Sequence, residues 1–124
     1  MHLQRQPRGS KICGHCCVAM VTGASLQEVI AQVGHRHGTS ARELGTALRA
    51  FGHQAHFKLT GFKKEASLPP RCILKQLWTS GEPGHWVVYD AGTIYCPGHG
   101  TYPYAEAVAR TGGRFTAYLK LTFF

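Results

Sequence analysis

A cysteine stands at the start of a predicted helix in the sequence ICGHCCVAM, which covers residues 12–20. We expect unpaired backbone N–H groups and the positive end of the helix dipole beside Cys13, because the first turn of a helix leaves its amide donors free. Both effects favour the thiolate, which is the nucleophilic form of cysteine. Gly14 is expected to let a substrate approach the backbone closely, and Gln6 to supply a side-chain donor to an oxyanion. The pattern predicts acyl-transfer chemistry at Cys13.

A histidine that could act as the base stands at the entrance of an apolar strand, in the sequence HWVVY of residues 85–89. The next sequence, DAGT, predicts a tight turn that pairs this strand with the run after it. A turn centred on the alanine and glycine pairs Val87 with Cys96, so His85 and Cys96 become diagonal neighbours, roughly 7–8 Å apart at Cβ. We therefore expect Cys96 at the position of the residue that orients His85. Asp90 lies at the far end of the strand, roughly 16 Å away at 3.3 Å per residue, and is not expected to take that role.

Three helices are predicted before these strands. The first begins near Cys13 and ends at Gly23, and it is apolar on all sides, as expected of a buried helix. The second and third each open with a serine followed three positions later by a glutamate, which is a capping-box pattern, and each ends near a glycine. The residues are Ser25, Glu28 and Gly34 for the second helix, and Ser40, Glu43 and Gly52 for the third.

Short β-branched or aromatic runs bounded by glycine and proline follow the helices, and such runs are typical of strands. They cover residues 53–59, 72–78, 86–89, 93–96 and 114–121, and a short helix is predicted at 104–110. Helices first and strands afterwards predict an α+β fold in which the helical part packs on an antiparallel sheet. With 124 residues, the chain is expected to form a single domain over residues 1–124.

The composition excludes several classes of function. Aspartate and glutamate together number 6 against 14 lysines and arginines, so an EF-hand or another site of several carboxylates is not expected. We expect no cofactor and no resident metal. The net charge of +8 favours an acidic protein partner, and specific nucleic-acid recognition is not expected because no recognition motif is present.

The predicted location is the cytoplasm. No apolar run approaches the roughly 20 residues of a membrane helix, so no membrane association is expected. The N-terminal residues lack the apolar stretch of a secretory signal. An odd number of cysteines, 5, without such a signal favours reduced thiols over a disulfide framework.

Taken in order, these motifs resemble those of the papain-like cysteine peptidases, most closely the small branch typified by the leader-processing peptidase domains of bacteriocin exporters. That branch has a glutamine, a Cys-Gly helix start, a Gly-Thr pair before a helix, a His-Trp/Phe-Val-Val strand and an Asp-Pro after a turn. The counterparts here are Gln6, residues 13–20, Gly38-Thr39, residues 85–88 and Cys96-Pro97. The resemblance implies a papain-like fold, a peptide or protein substrate, Cys13 as nucleophile, His85 as general base and Gln6 as oxyanion donor.

The chain departs from this family in two places. Cys96 replaces the aspartate, and a neutral thiol accepts hydrogen bonds poorly, so it would stabilise an imidazolium less well. The separation of Gln6 and Cys13 is slightly longer than is usual in the family. An alternative function is therefore a catalytically degraded papain-like module that binds a protein partner. Papain itself uses the second cysteine of a Cys-Gly-Ser-Cys sequence, and that register would make Cys16 the nucleophile.

Two further alternatives stay open. Cys13 and Cys16 have the spacing of half a zinc site, which Cys96 and either His85 or His99 could complete. A variant of this site would use Cys13, His85 and Cys96 as a metal trap. His99 is not expected to reach the acyl-transfer site. The remaining alternative is a small basic protein that adheres weakly to nucleic acid.

Overall fold

The computed structural model describes residues 1–34, 38–78, 85–111 and 113–122, and in these residues it shows four helices and six strands. The helices are α1 (Cys13–Thr22), α2 (Leu26–Val33), α3 (Ala41–Ala50) and α4 (Tyr104–Thr111), with a 3₁₀ turn at Glu65–Ser67. The strands are β1 (Gln54–Gly61), β2 (Arg71–Trp78), β3 (His85–Asp90), β4 (Thr93–Cys96), β5 (Gly100–Pro103) and β6 (Gly113–Thr122). The predicted α+β class and the order of helices before strands are confirmed.

The strands of the described residues form one antiparallel sheet in the order β1-β6-β2-β3-β4-β5. In the hairpin of β3 and β4, Asp90 pairs with Thr93 and Val88 pairs with Tyr95, which confirms the predicted turn. Both turn residues have positive φ, +48° at Ala91 and +95° at Gly92. This is the backbone of a hairpin turn whose twist matches that of the strands, so the register of β4 against β3 is fixed locally.

The two capping boxes predicted from the sequence are present. The Ser25 hydroxyl accepts a hydrogen bond from the Glu28 N–H at 3.1 Å, and the Glu28 carboxylate accepts one from the Ser25 N–H at 3.1 Å. Ser40 and Glu43 repeat the arrangement at the start of α3. Each box satisfies amide donors that the first helical turn would otherwise leave unpaired, so both helix starts are set by sequence.

The sheet carries a core on each face, because successive strand residues point in opposite directions. Trp86 and Val88 of β3 belong to the core that includes α1, α2 and α3, whereas Val87 and Tyr89 belong to the core that includes α4. Helix α1 is buried in nine of its ten residues and packs on β3. This packing brings the N-terminus of α1 to the end of β3 that begins at His85.

Within the described ranges, no single helix has the length and apolar composition needed to cross a bilayer. Only α1 and α2 taken together meet those two requirements, and they are bent by 119° at the break between them.

Candidate active site

The sulfur of Cys13 lies against the backbone of β3. The Trp86 N–H donates a hydrogen bond to Cys13 Sγ at 3.4 Å, and the backbone N–H groups of Cys13 and Gly14 also interact with this sulfur. The N-cap residue, Ile12, makes no side-chain capping bond, so it does not occupy the first amide donors of α1. The thiol at the helix start is therefore beside the amide that directly follows His85.

Burial controls the ionisation of Cys13. Desolvation raises the pKa of the Cys13 thiol, and the hydrogen bonds from Trp86, Gly14 and its own amide lower it only in part. The side chain is 8% exposed. The sequence-based expectation of a lowered pKa at the helix terminus is therefore wrong, because the cost of desolvating a charged sulfur exceeds the gain from the amides. The raised pKa favours the protonated, neutral thiol.

The ring of His85 contacts Cys96, as the predicted hairpin register requires. His85 Nε2 and Cys96 Sγ are 3.1 Å apart. Burial lowers the pKa of His85 to about 4, and the nearby His99 contributes to the shift. The imidazole is therefore neutral near pH 7 and can accept a proton.

Cys96 lies in a ring of backbone donors. The N–H groups of Gly98, His99 and Gly100 interact with its sulfur and lower its pKa, although burial outweighs them and the pKa is raised overall. The turn that follows β4 is closed by a hydrogen bond from the His99 N–H to the Cys96 carbonyl, at 3.2 Å. Converging backbone N–H groups form the kind of concavity that binds anions, so these donors offset part of the cost of burying a negative charge at position 96.

His99 also reaches this sulfur, which corrects the expectation that it would not. His99 Nδ1 is 3.3 Å from Cys96 Sγ, and the rings of His85 and His99 meet edge to face with centroids 6.1 Å apart. A usable signal was present in the sequence. Pro97-Gly98 is a favoured central pair of a β-turn, and such a turn returns its fourth residue to the side of its first.

Gln6 is held at the edge of the site. Its N–H donates to the Pro97 carbonyl at 3.1 Å, and its Nε2 donates to the Ser10 carbonyl at 2.8 Å. Its Oε1 is buried and has no hydrogen-bond partner among the residues that the structure describes. A Cβ placed on Gly98 would lie 3.5 Å from His85 Cε1 and 3.8 Å from Gln6 Oε1. The structure thus brings Gln6 into the neighbourhood of His85, and one of its two Nε2 hydrogens is tied to Ser10.

Gly14 has a packing role that differs from the one expected. A Cβ at this position would overlap Thr39 Oγ1 and would lie 3.1 Å from Leu44 Cδ2. The carbonyl of Thr39 in turn accepts a hydrogen bond from Trp86 Nε1 at 2.9 Å. The space beside Gly14 is filled by the protein and not left for a substrate.

Replacing Gly14 with alanine is expected to destabilise the protein by about 2 kcal/mol, because the overlap with Thr39 outweighs the helix propensity gained. Urea denaturation measures the change in the free energy of unfolding. The double variant Gly14→Ala/Thr39→Ala should recover part of the loss, since it removes the overlapping hydroxyl. A Gly14→Ala protein as stable as the wild type would contradict this account of the contact.

Of the two cysteines that the sequence offers as nucleophiles, Cys13 is the one whose sulfur contacts the backbone of β3. Cys16 is fully buried inside α1, and burial with the neighbouring Cys13 raises the pKa of its thiol to about 12. All five cysteines are free thiols. Among the described residues the candidate metal ligands that cluster are His85, Cys96 and His99, so the zinc sites predicted with Cys13 or Cys16 as ligands are not formed.

No known protein-family model matches the chain, and no curated protein is measurably similar to it.

Proposed function

We propose that the protein is a thiol-dependent acyl-transfer enzyme of the papain-like kind, acting as a peptidase or amidase. The observation that carries the proposal is the hydrogen bond from the Trp86 N–H to Cys13 Sγ at 3.4 Å. It places the thiol within one residue of His85, whose Nε2 contacts Cys96 at 3.1 Å. A nucleophile, a base and a group that orients the base are the three parts of such a site.

Cys13 and His85 are both neutral in this proposal, and a neutral thiol beside a neutral imidazole indicates general-base catalysis. The hydrogen of the neutral His85 ring is on Nε2, which donates a hydrogen bond to Cys96 Sγ. Nδ1 is therefore left to accept the proton of Cys13 as the sulfur attacks a carbonyl carbon. The Cys13 N–H and the second Nε2 hydrogen of Gln6 stabilise the resulting oxyanion. The imidazolium then protonates the leaving amine, and the acyl-enzyme passes its acyl group to water or to an amine.

His99 is a positioning residue in this scheme. The Cys96 thiol donates its hydrogen to His99 Nδ1, 3.3 Å away, and its lone pairs then accept from His85 Nε2–H. This series of two hydrogen bonds fixes the tautomer of His85 without a carboxylate. It provides no negative charge, so the imidazolium is stabilised less than in a Cys-His-Asp site.

The charge of the protein supports an acidic substrate class. A net charge of +8 favours acidic peptides or proteins as substrates or partners. The free state of all five thiols fits a reducing compartment such as the cytoplasm.

The test is site-selective labelling of the full chain. A peptide vinyl sulfone, followed by mass mapping, should modify Cys13 at least about tenfold faster than the other four cysteines, because His85 Nδ1 serves as a base for this thiol and the other four side chains have no exposed surface. His85→Ala should slow the reaction by about 100-fold. His56→Ala is the matched control, since His56 lies exposed on β1, and it should not change the rate.

A second candidate function, a non-catalytic module that binds a protein partner, is favoured by the neutral thiol at Cys96. It predicts slow labelling spread over the cysteines and no effect of His85→Ala. That result would remove the enzyme proposal.

A further inference from the structure

Three metal-ligating side chains converge at the end of the β3–β4 hairpin. His85, Cys96 and His99 each offer one ligand atom, and these atoms all lie within 4.8 Å of one another. Two of the side chains, those of His85 and Cys96, are buried on the scaffold of the sheet, whereas His99 is exposed at the surface. The cluster is therefore rigid on one side and accessible from solvent on the other.

The distances fit a tetrahedral metal ion. In tetrahedral zinc coordination, with Zn–S near 2.3 Å and Zn–N near 2.05 Å, sulfur and nitrogen ligands are about 3.5 Å apart. Cys96 Sγ is 3.1 Å from His85 Nε2 and 3.3 Å from His99 Nδ1. Small movements would bring both pairs to that spacing, and His99 is the exposed member of the three side chains.

We propose that His85, Cys96 and His99 form a binding site for Zn²⁺. Two imidazole nitrogens and one thiolate are a donor set that zinc prefers. Binding replaces the hydrogen of the Cys96 thiol by a Zn–S bond and releases one proton to solvent, while both imidazoles bind as neutral ligands. The N–H groups of Gly98, His99 and Gly100 that surround the sulfur would stabilise the thiolate in the complex.

Three protein ligands leave a fourth position for water or another ligand. Gly98 borders this region, because the position of its absent Cβ lies 3.6 Å from His85 Nε2 and 3.8 Å from Gln6 Oε1. The buried Oε1 of Gln6, which has no partner among the described residues, is an acceptor for a hydrogen bond from a zinc-bound water.

The site makes zinc a reversible inhibitor, and this part of the inference rests on the proposed function. Coordination through Nε2 leaves the single hydrogen of the neutral His85 imidazole on Nδ1, so Nδ1 has no lone pair with which to accept the proton of Cys13. The base is therefore disabled while zinc is bound. Removal of zinc by a chelator restores it.

The experiment is a titration of the reduced full chain with Co²⁺, which takes the place of Zn²⁺ and reports its ligands by absorption. We expect one Co²⁺ per chain, a thiolate-to-cobalt charge-transfer band with the visible bands of tetrahedral cobalt, and displacement by Zn²⁺. Cys96→Ser should abolish the charge-transfer band. His99→Gln should weaken the affinity by at least about 100-fold, because even residues that only hydrogen-bond to the ligands of a metal contribute 10–100-fold to its affinity.

His56→Gln is the matched control and should bind as the wild type does. His99→Gln changes an exposed side chain, so it decides the question even if Cys96→Ser fails to fold. An unchanged Co²⁺ spectrum and affinity in His99→Gln, or a wild-type spectrum without the thiolate band, would overturn the site.

Labelling of Cys13 separates this inference from the proposed function. If Zn²⁺ suppresses labelling in the wild type and not in His99→Gln, each compared with its own rate in the absence of metal, the inhibitory role is supported. If Co²⁺ binds as expected but Cys13 is unreactive in metal-free protein, the metal site stands and the enzyme proposal fails. If Cys13 reacts with the help of His85 and Co²⁺ does not bind, only the metal site fails.

Discussion

Replacing Cys96 with aspartate is expected to raise the rate at which Cys13 is acylated by about 100-fold, since loss of the carboxylate from a comparable catalytic triad costs about 10⁴ in kcat. A carboxylate at this position would accept the hydrogen bond of His85 Nε2 and would supply the negative charge that the neutral thiol lacks. It would therefore raise the pKa of His85 from about 4. A more basic imidazole takes the proton of Cys13 more readily.

The surroundings of Cys96 fit an aspartate. The two side chains have similar volumes, and the N–H groups of Gly98, His99 and Gly100 already point at the atom they would bond. Three such donors offset much of the cost of burying a carboxylate at a position that has no exposed surface.

Stopped-flow acylation by an activated peptide ester, with Cys96→Asp, Cys96→Asn and wild type compared at pH 7, measures the effect. Asparagine is the matched control because its carbonyl also accepts from His85 but carries no charge. We expect Cys96→Asn to be acylated less than about tenfold faster than the wild type. If the Asp and Asn variants react equally fast, orientation of the ring and not charge limits the reaction; if neither exceeds the wild type, the proposed role of Cys96 is wrong.

The local features of the fold could be predicted because short-range rules decide them. The serine–glutamate pairs fix the starts of α2 and α3, and the positive φ of Ala91 and Gly92 fixes the hairpin register. That register alone was enough to bring His85 beside Cys96. Strand β5 was missed because it has only four residues, including Gly100 and Pro103, and is set by pairing with β4 and not by its own composition.

The site was predicted less completely because burial is a property of the whole fold. The sequence places Cys13 at a helix start, where the amides favour a thiolate, but it does not show that Trp86 and the sheet cover the sulfur. The same holds for His99, which reaches Cys96 only because the turn after β4 closes tightly. Spacing therefore predicted the contact of His85 with Cys96, whereas the contact of His99 with Cys96 and the raised pKa of Cys13 depend on how the chain packs.

The stability of the protein is expected to fall by about 3 kcal/mol between pH 6.5 and pH 4 through His85 alone, since 1.36 kcal/mol corresponds to each unit of pKa difference. The pKa of His85 is lowered to about 4 in the folded protein, whereas an unfolded histidine titrates near 6.5. Between these values the unfolded chain binds the proton and the folded chain does not. The stabilisation that comes from the lowered pKa of His85 is therefore present above about pH 6.5 and is lost as the pH falls towards 4.

The groups that face His85 leave this sign unchanged. The pKa values of Cys13 and Cys96 are raised, so both thiols stay neutral throughout this range. His99 contributes to the lowered pKa of His85, so His99→Gln should make the fall in stability smaller.

Urea denaturation of wild type and His85→Gln at pH 7.0 and pH 4.0, in the presence of a chelator, isolates the contribution of His85, because the carboxylates are common to both proteins. We expect the wild type to lose about 3 kcal/mol more than the variant over this interval. Equal losses in the two proteins would mean that His85 is protonated in the folded state at acid pH, and the imidazole would then not be the neutral, buried base that the site requires.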